Sequence, residues 1–174
     1  MINSGAGTAF NMNTNEVIAN VALKILGKKL GQYEYLHPND HVNMSQSSND
    51  TFPTAMHVAI LFATRDMLPV IDRLIKSLRK KARQFSSYKK VGRTHLMDAL
   101  PVTLGSEFAS YATALTVARN GIVSAKKELE KVALGGTAVG TGANTPKGYR
   151  NVAIRELSKI SKLSLRPQQD MQSS

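Results

Sequence analysis

The chain has 174 residues, 42% of them hydrophobic and only 6% aromatic, with a formal charge of +11. Cysteine is absent, which excludes a disulfide framework, a thiolate metal site and a cysteine nucleophile. Nothing at the N-terminus reads as a signal peptide and no apolar run approaches bilayer length, so a cytoplasmic protein with no membrane partner is expected.

The chain opens on a small polar cluster, Gly5-Ala-Gly-Thr-Ala-Phe-Asn-Met-Asn13, which includes Thr8. A helix is predicted over about residues 13–26, with Val17, Val21 and Ile25 on one apolar stripe and Gly27 as its stop. The stretch from His37 to Asp50 then packs imidazoles, amides, hydroxyls and carboxylates together with little apolar content. Ser47, Ser48 and Asn49 stand just before the next helix, where side-chain donors and free backbone N–H groups can converge on an anion. A helix cap needs one such residue, and residues 47–50 supply four in a row, so a bound small anion is expected. His37 and His41 flank Asp40, but a zinc site wants a third convergent ligand and no pattern supplies one; no metal and no cofactor are expected.

The second predicted helix covers about residues 51–85, with Phe52, Met56, Ile60, Ala63, Met67, Ile71, Leu74 and Leu78 at steps of three and four. Pro53 suits the first turn, whereas Pro69 should kink or split the helix. His57 lies inside this pattern and reads as structural. Lys76, Arg79, Lys80, Lys81, Arg83, Lys89, Lys90 and Arg93 form a basic cluster with few aromatics among them. A solvated helix face explains it better than a nucleic-acid surface. The overall field would still draw in small dianions.

Between residues 90 and 103 the pattern predicts a short β-hairpin or an extended excursion. It carries Thr94 and His95, and His95 is the only histidine beside a hydroxyl residue. Proton transfer and a buried structural role both remain open for it. A third helix is predicted over about residues 104–133, roughly 45 Å long at 1.5 Å per residue. Its near-heptad pattern is too long to be covered by so small a chain, so another subunit or further sequence is expected to pack on it. The glycine-rich run 135–142 lacks the Gly-Lys-Ser/Thr ending of a phosphate loop and reads as a flexible connection. A weaker amphipathic helix is predicted over about residues 147–163. The fold class is all-α, a long-helix bundle with a β-hairpin-like excursion around residues 90–103.

Read together, Gly5-Ala-Gly-Thr-Ala-Phe-Asn-Met-Asn13, the 37–50 stretch, Gly92-Arg-Thr-His-Leu-Met-Asp-Ala-Leu-Pro101 and Leu134-Gly-Gly-Thr-Ala-Val-Gly-Thr-Gly142 resemble the aspartase/fumarase superfamily, in its class II fumarase and aspartate ammonia-lyase branch. The resemblance implies a homotetramer with a central helical bundle and sites built from three subunits. It implies that Thr8, Ser47, Ser48, Asn49, Thr94 and His95 bind a small dicarboxylate, with Thr94 and His95 orienting and polarising it. His37, Asn39 and Asp40 match the family's secondary anion site. The family's base is a serine on a Gly-Ser-Ser-x-Met-Pro-x-Lys-x-Asn loop, and this chain has no such stretch.

Residues 1–174 are therefore expected to be one partial unit: the N-terminal lyase region plus the first bundle helices, without the C-terminal half, and inactive or nearly so alone. Two substrates fit the resemblance. Ala6, Gln32-Tyr-Glu-Tyr35 and Asn144-Thr-Pro-Lys-Gly-Tyr149 look like aspartases, whereas Ser47-Ser48 and Phe52-Pro-Thr-Ala-Met-His57 look like fumarases. The expectation leans to aspartase, because position 6 borders the group that separates ammonium from water.

Overall fold

The computed structural model describes residues 7–171, so the readings placed on Gly5, Ala6 and the last three residues lie outside the described residues. Four helices dominate: α1 (Thr8–Ile25), α2 (Ser48–Gln84), α3 (Leu104–Leu129) and α4 (Tyr149–Ser161). Strands β1 (Lys89–Thr94) and β2 (Met97–Thr103) form an antiparallel hairpin, while β3 (Lys131–Val132) and β4 (Arg166–Pro167) make a short parallel bridge. The helical fold with a hairpin excursion agrees with the sequence reading.

The chain falls into two compact units, one made of residues up to 61 together with those from 129 onward, the other of Phe62–Glu128. In the first, Leu61 and Val132 are fully buried, Ile154 and Leu165 nearly so, and Val58, Leu134, Leu157 and Leu163 pack around them. This core explains why α3 ends at Leu129 rather than near 133. Val132 is drawn into the core, and its carbonyl accepts the N–H of Gln168 at 3.1 Å while the Glu130 carbonyl accepts that of Arg166 at 2.8 Å. Residues 130–132 thus exchange helical bonds for a ladder that the tail completes.

Helix α1 buries a different stripe from the one expected. Asn15, Ala19 and Leu23, at a spacing of four, face inward, whereas Val17, Val21 and Ile25 are 54–81% exposed. Periodicity located apolar stripes but not which of them the chain itself covers. The helix also starts earlier, because Gly7 takes a left-handed φ of 88° and lies where a Cβ would overlap the Phe52 ring.

Pro69 does not split α2, which runs unbroken for 37 residues. Pro69 is exposed, so the Arg65 carbonyl that loses its helical donor faces water, which limits the cost.

In the second unit α3 docks through small residues. Gly105 is buried where an added Cβ would overlap the Ala82 carbonyl, and Ala112 is 1% exposed. Asp72 receives a two-pronged bond from Arg119, at 2.9 and 3.1 Å. Lys90 at the hairpin root meets Glu107 at 2.7 Å.

Candidate functional site

The start of α2 is a reciprocal cap. Ser47 Oγ accepts the Asn49 N–H at 3.2 Å, while the Ser47 N–H donates to Asp50 Oδ1 at 3.1 Å. The hydroxyl of Ser48 accepts from Asn11 Nδ2 at 3.1 Å. In both serines these bonds occupy oxygen lone pairs, and a hydroxyl carries one donor besides, so the turn offers two O–H donors. Asn11 shares a second acceptor, Asn43 Oδ1, with Asn15; both bonds are 3.0 Å, and Asn15 is 4% exposed. Thr51 Oγ1 donates to the Ser47 carbonyl at 2.9 Å and lies 3.2 Å from Asn11 Oδ1. Asn11, Asn15, Asn43, Ser48 and Thr51 thus share one side-chain network at the start of α2, and Thr8 stands exposed on α1 three positions before Asn11.

Asp50, 1% exposed, joins this turn to the glycine-rich loop. Its second oxygen accepts the Thr137 N–H at 2.8 Å, and Asn49 Nδ2 donates to the neighbouring Ala138 carbonyl at 3.1 Å. Burial pushes the Asp50 carboxyl up from its ordinary value, and backbone N–H groups led by Thr137 and Ser47 pull the other way without cancelling it. Tyr149 is raised as well, first by burial and then by the charge of Asp50, while a hydrogen bond with Gln46 acts in the opposite sense. Far from being a plain connection, the 135–142 loop lines a cleft of about 560 Å³ together with Ser48, Asn49 and Asp50. Gly135 has a φ of 87° and no room for a Cβ beside Arg150, so α4 approaches it closely.

Asn39 and Asp40 lie in a single π-helical turn, Pro38–Val42, with His37 as its N-cap. His37 Nδ1 accepts the backbone N–H groups of Asn39 and Asp40, each at 3.2 Å, and His41 Nδ1 accepts the His37 N–H at 2.9 Å. Asp40 Oδ2 also lies 3.5 Å from His37 Nδ1. Among the described residues no group of three His, Cys, Asp or Glu side chains is placed to hold a metal ion.

Thr94 and His95 belong to the other unit. They sit at the hairpin tip, where Thr94 pairs with Met97 and a two-residue turn, His95-Leu96, joins the strands. Both turn residues are left-handed, with φ of 49° and 62°, the backbone that tight two-residue hairpins demand. His95 is exposed, which removes the buried structural reading left open for it. His57 is structural as expected, its Nδ1–H donating to the Lys131 carbonyl at 3.0 Å. Sequence reasoning missed Asn11, Asn15 and Asn43, and for Asp50 it missed the bond to the 135–142 loop. The signals were the spacing of four between the first two and an acidic residue three places after Ser47.

A family described as lyase matches residues 1–173. The chain is 50% identical over 159 residues to the class II fumarate hydratase of Helicobacter pylori, covering 91% of this chain and 34% of that protein. It is 46% identical over 172 residues to the aspartate ammonia-lyase of Pseudomonas aeruginosa, covering 98% of this chain and 36% of that one. The crystal structure of fumarate lyase:delta crystallin from Brucella melitensis bound to cobalt is similar with a TM-score of 0.90 at 44% identity, over 97% of this chain and 37% of that chain. The chain spans about a third of the length of the curated relatives it matches.

Proposed function

As the chain belongs to the lyase family, we propose that it forms part of an enzyme of the aspartase/fumarase superfamily that interconverts malate and fumarate. The observation that carries this reading is the 47–49 turn, where two serine hydroxyls and an asparagine amide meet at the start of a long helix. Such donors suit a carboxylate, and they suit better still the doubly charged aci-carboxylate that forms when a base removes a proton beside it. Thr8, Ser47, Ser48 and Asn49 hold the substrate. Thr94 and His95 orient and polarise substrate in the assembled enzyme. His37, Asn39 and Asp40 make a second anion site. The hydroxyl on the adjacent carbon then takes up a proton and leaves as water from the face opposite the abstracted proton, and fumarate results.

Hydration is preferred over the aspartase expectation because identity is higher to the fumarate hydratase than to the ammonia-lyase. Elimination of ammonia from aspartate is the second reading, supported by the ammonia-lyase relative that matches nearly all of this chain. Apolar residues left exposed along α2, among them Met56, Ile60, Met67 and Leu74, are covered by other subunits in a homo-oligomer.

Fumarate titrated into the chain should raise its melting temperature, and Ser48→Ala and Asn49→Ala should each abolish most of that rise. Protection that survives both substitutions overturns the placement of the site. Assayed with malate and with aspartate, the assembled enzyme containing these residues should yield fumarate from malate. Release from aspartate alone overturns hydration in favour of the second reading.

A further inference from the structure

We propose that Asp50 is a positioning residue, whose buried carboxylate pins the 135–142 loop onto the 47–49 turn and so fixes Asn49 for the substrate carboxylate. This rests on the reading of that turn as the carboxylate site.

Capping alone does not account for Asp50. The reciprocal cap uses one oxygen, on the Ser47 N–H; the other takes the Thr137 N–H, 87 positions away, at the shorter distance of 2.8 Å. The next residues along each segment repeat the link, Asn49 Nδ2 donating to the Ala138 carbonyl. Two adjacent side chains of α2 thus grip two adjacent residues of the loop, one through an N–H and one through a C=O.

The loop needs such a grip. Thr137 is held at a φ of 61°, and Gly135, Gly140 and Gly142 are also left-handed. A segment with this backbone has no strong local preference for one shape, and a non-glycine residue in that region persists only where its surroundings enforce it. Asp50 is 1% exposed, so water does not compete for its bonds. The carboxyl value bears out the burial: desolvation raises it, and the bonds from Thr137 and Ser47 lower it without cancelling the rise. Without the carboxylate the loop loses its register on the turn, and the Ala138 carbonyl that orients the Asn49 amide goes with it.

The test uses the 174-residue chain, with succinate as the probe. In Asp50→Asn the Thr137 amide should exchange with solvent about 10–100-fold faster, with helix content unchanged. Succinate affinity should fall about tenfold, and Asp50→Asn combined with Asn49→Ala should bind no more weakly than Asn49→Ala alone, because one acts through the other. Asp50→Glu, which keeps the carboxylate one methylene further out, should recover part of both effects. If Asp50→Asn fails to fold, Asp50→Glu is decisive: Thr137 exchange within about tenfold of the native rate supports the pin, and complete loss of protection overturns it. Unchanged Thr137 exchange in Asp50→Asn, or affinity losses that simply add, also overturn the proposal. Failure of the unaltered chain to bind succinate instead sinks the carboxylate reading of the turn, and Thr137 exchange then decides the pin by itself.

Discussion

At position 50 a carboxylate is held almost wholly out of water, and its titration is linked to folding. Burial raises its value in the folded chain, so the native state holds this proton more tightly than the unfolded state does. The stability that follows is complete below the ordinary carboxylate range and is lost as pH climbs through the raised folded value. Asp50→Asn has no such proton. The melting temperature of the native chain minus that of the variant should therefore shrink as pH rises across that interval, and a flat difference would refute the linkage. The variant also turns an amide donor toward the N–H of Ser47 or Thr137, at a cost of about 1–3 kcal/mol. Composition and order were enough to single out residues 47–49, since capping groups in excess of need are visible in a sequence. The partners of Asp50 were not, because they lie in a loop whose fold depends on contacts from 87 positions away.

Among the elements, the hairpin was legible in outline and its tip was not. Alternating β-branched and apolar residues betray strands, but His-Leu is a poor sequence signal for a turn that normally asks for Asn-Gly. Leu96 is 96% exposed with a φ of 62°, so within the chain its side chain earns no packing in return for an unfavourable backbone. Leu96→Asn should stabilise the chain by about 0.5–1 kcal/mol, since asparagine tolerates left-handed backbone better, as read by chemical denaturation. A loss of stability would mean that the leucine is held by contacts of its own. Pro69 carries the opposite lesson. Inside α2 it is tolerated because its exposed position leaves the orphaned carbonyl to water, and exposure is what the sequence pattern does not report.

For the molecule as a whole, stability and the proposed assembly draw on different surfaces. Leu61 is fully buried at the heart of the first unit's core, so Leu61→Ala should cost about 2–5 kcal/mol in denaturant melts. Met67 and Leu74 lie on the apolar stripe of α2 and are 42% and 49% exposed. Met67→Glu with Leu74→Glu should leave the chain's own fold intact and shift sedimentation toward the monomer, whereas unchanged assembly would point to other faces. The sequence already implied surplus apolar length in its helices. It did not reveal how the surplus is divided, since in α1 Asn15, Ala19 and Leu23 turn inward while the β-branched Val17, Val21 and Ile25 stay outside.

The irregular pairing of the hairpin has an outcome of its own. Val91 stands opposite Pro101 and Arg93 opposite Asp98, so Ala99 and Leu100 share the place across from Gly92, where the Leu100 carbonyl leaves no space for a side chain. That single extra residue resets the alternation of β2 halfway along, and the half rooted beside Glu107 is out of phase with the half that bears the imidazole. Deleting Ala99 would bring the two halves back into phase and turn one of them over. How the tip of the hairpin faces relative to its root is therefore tied to the count of residues in β2.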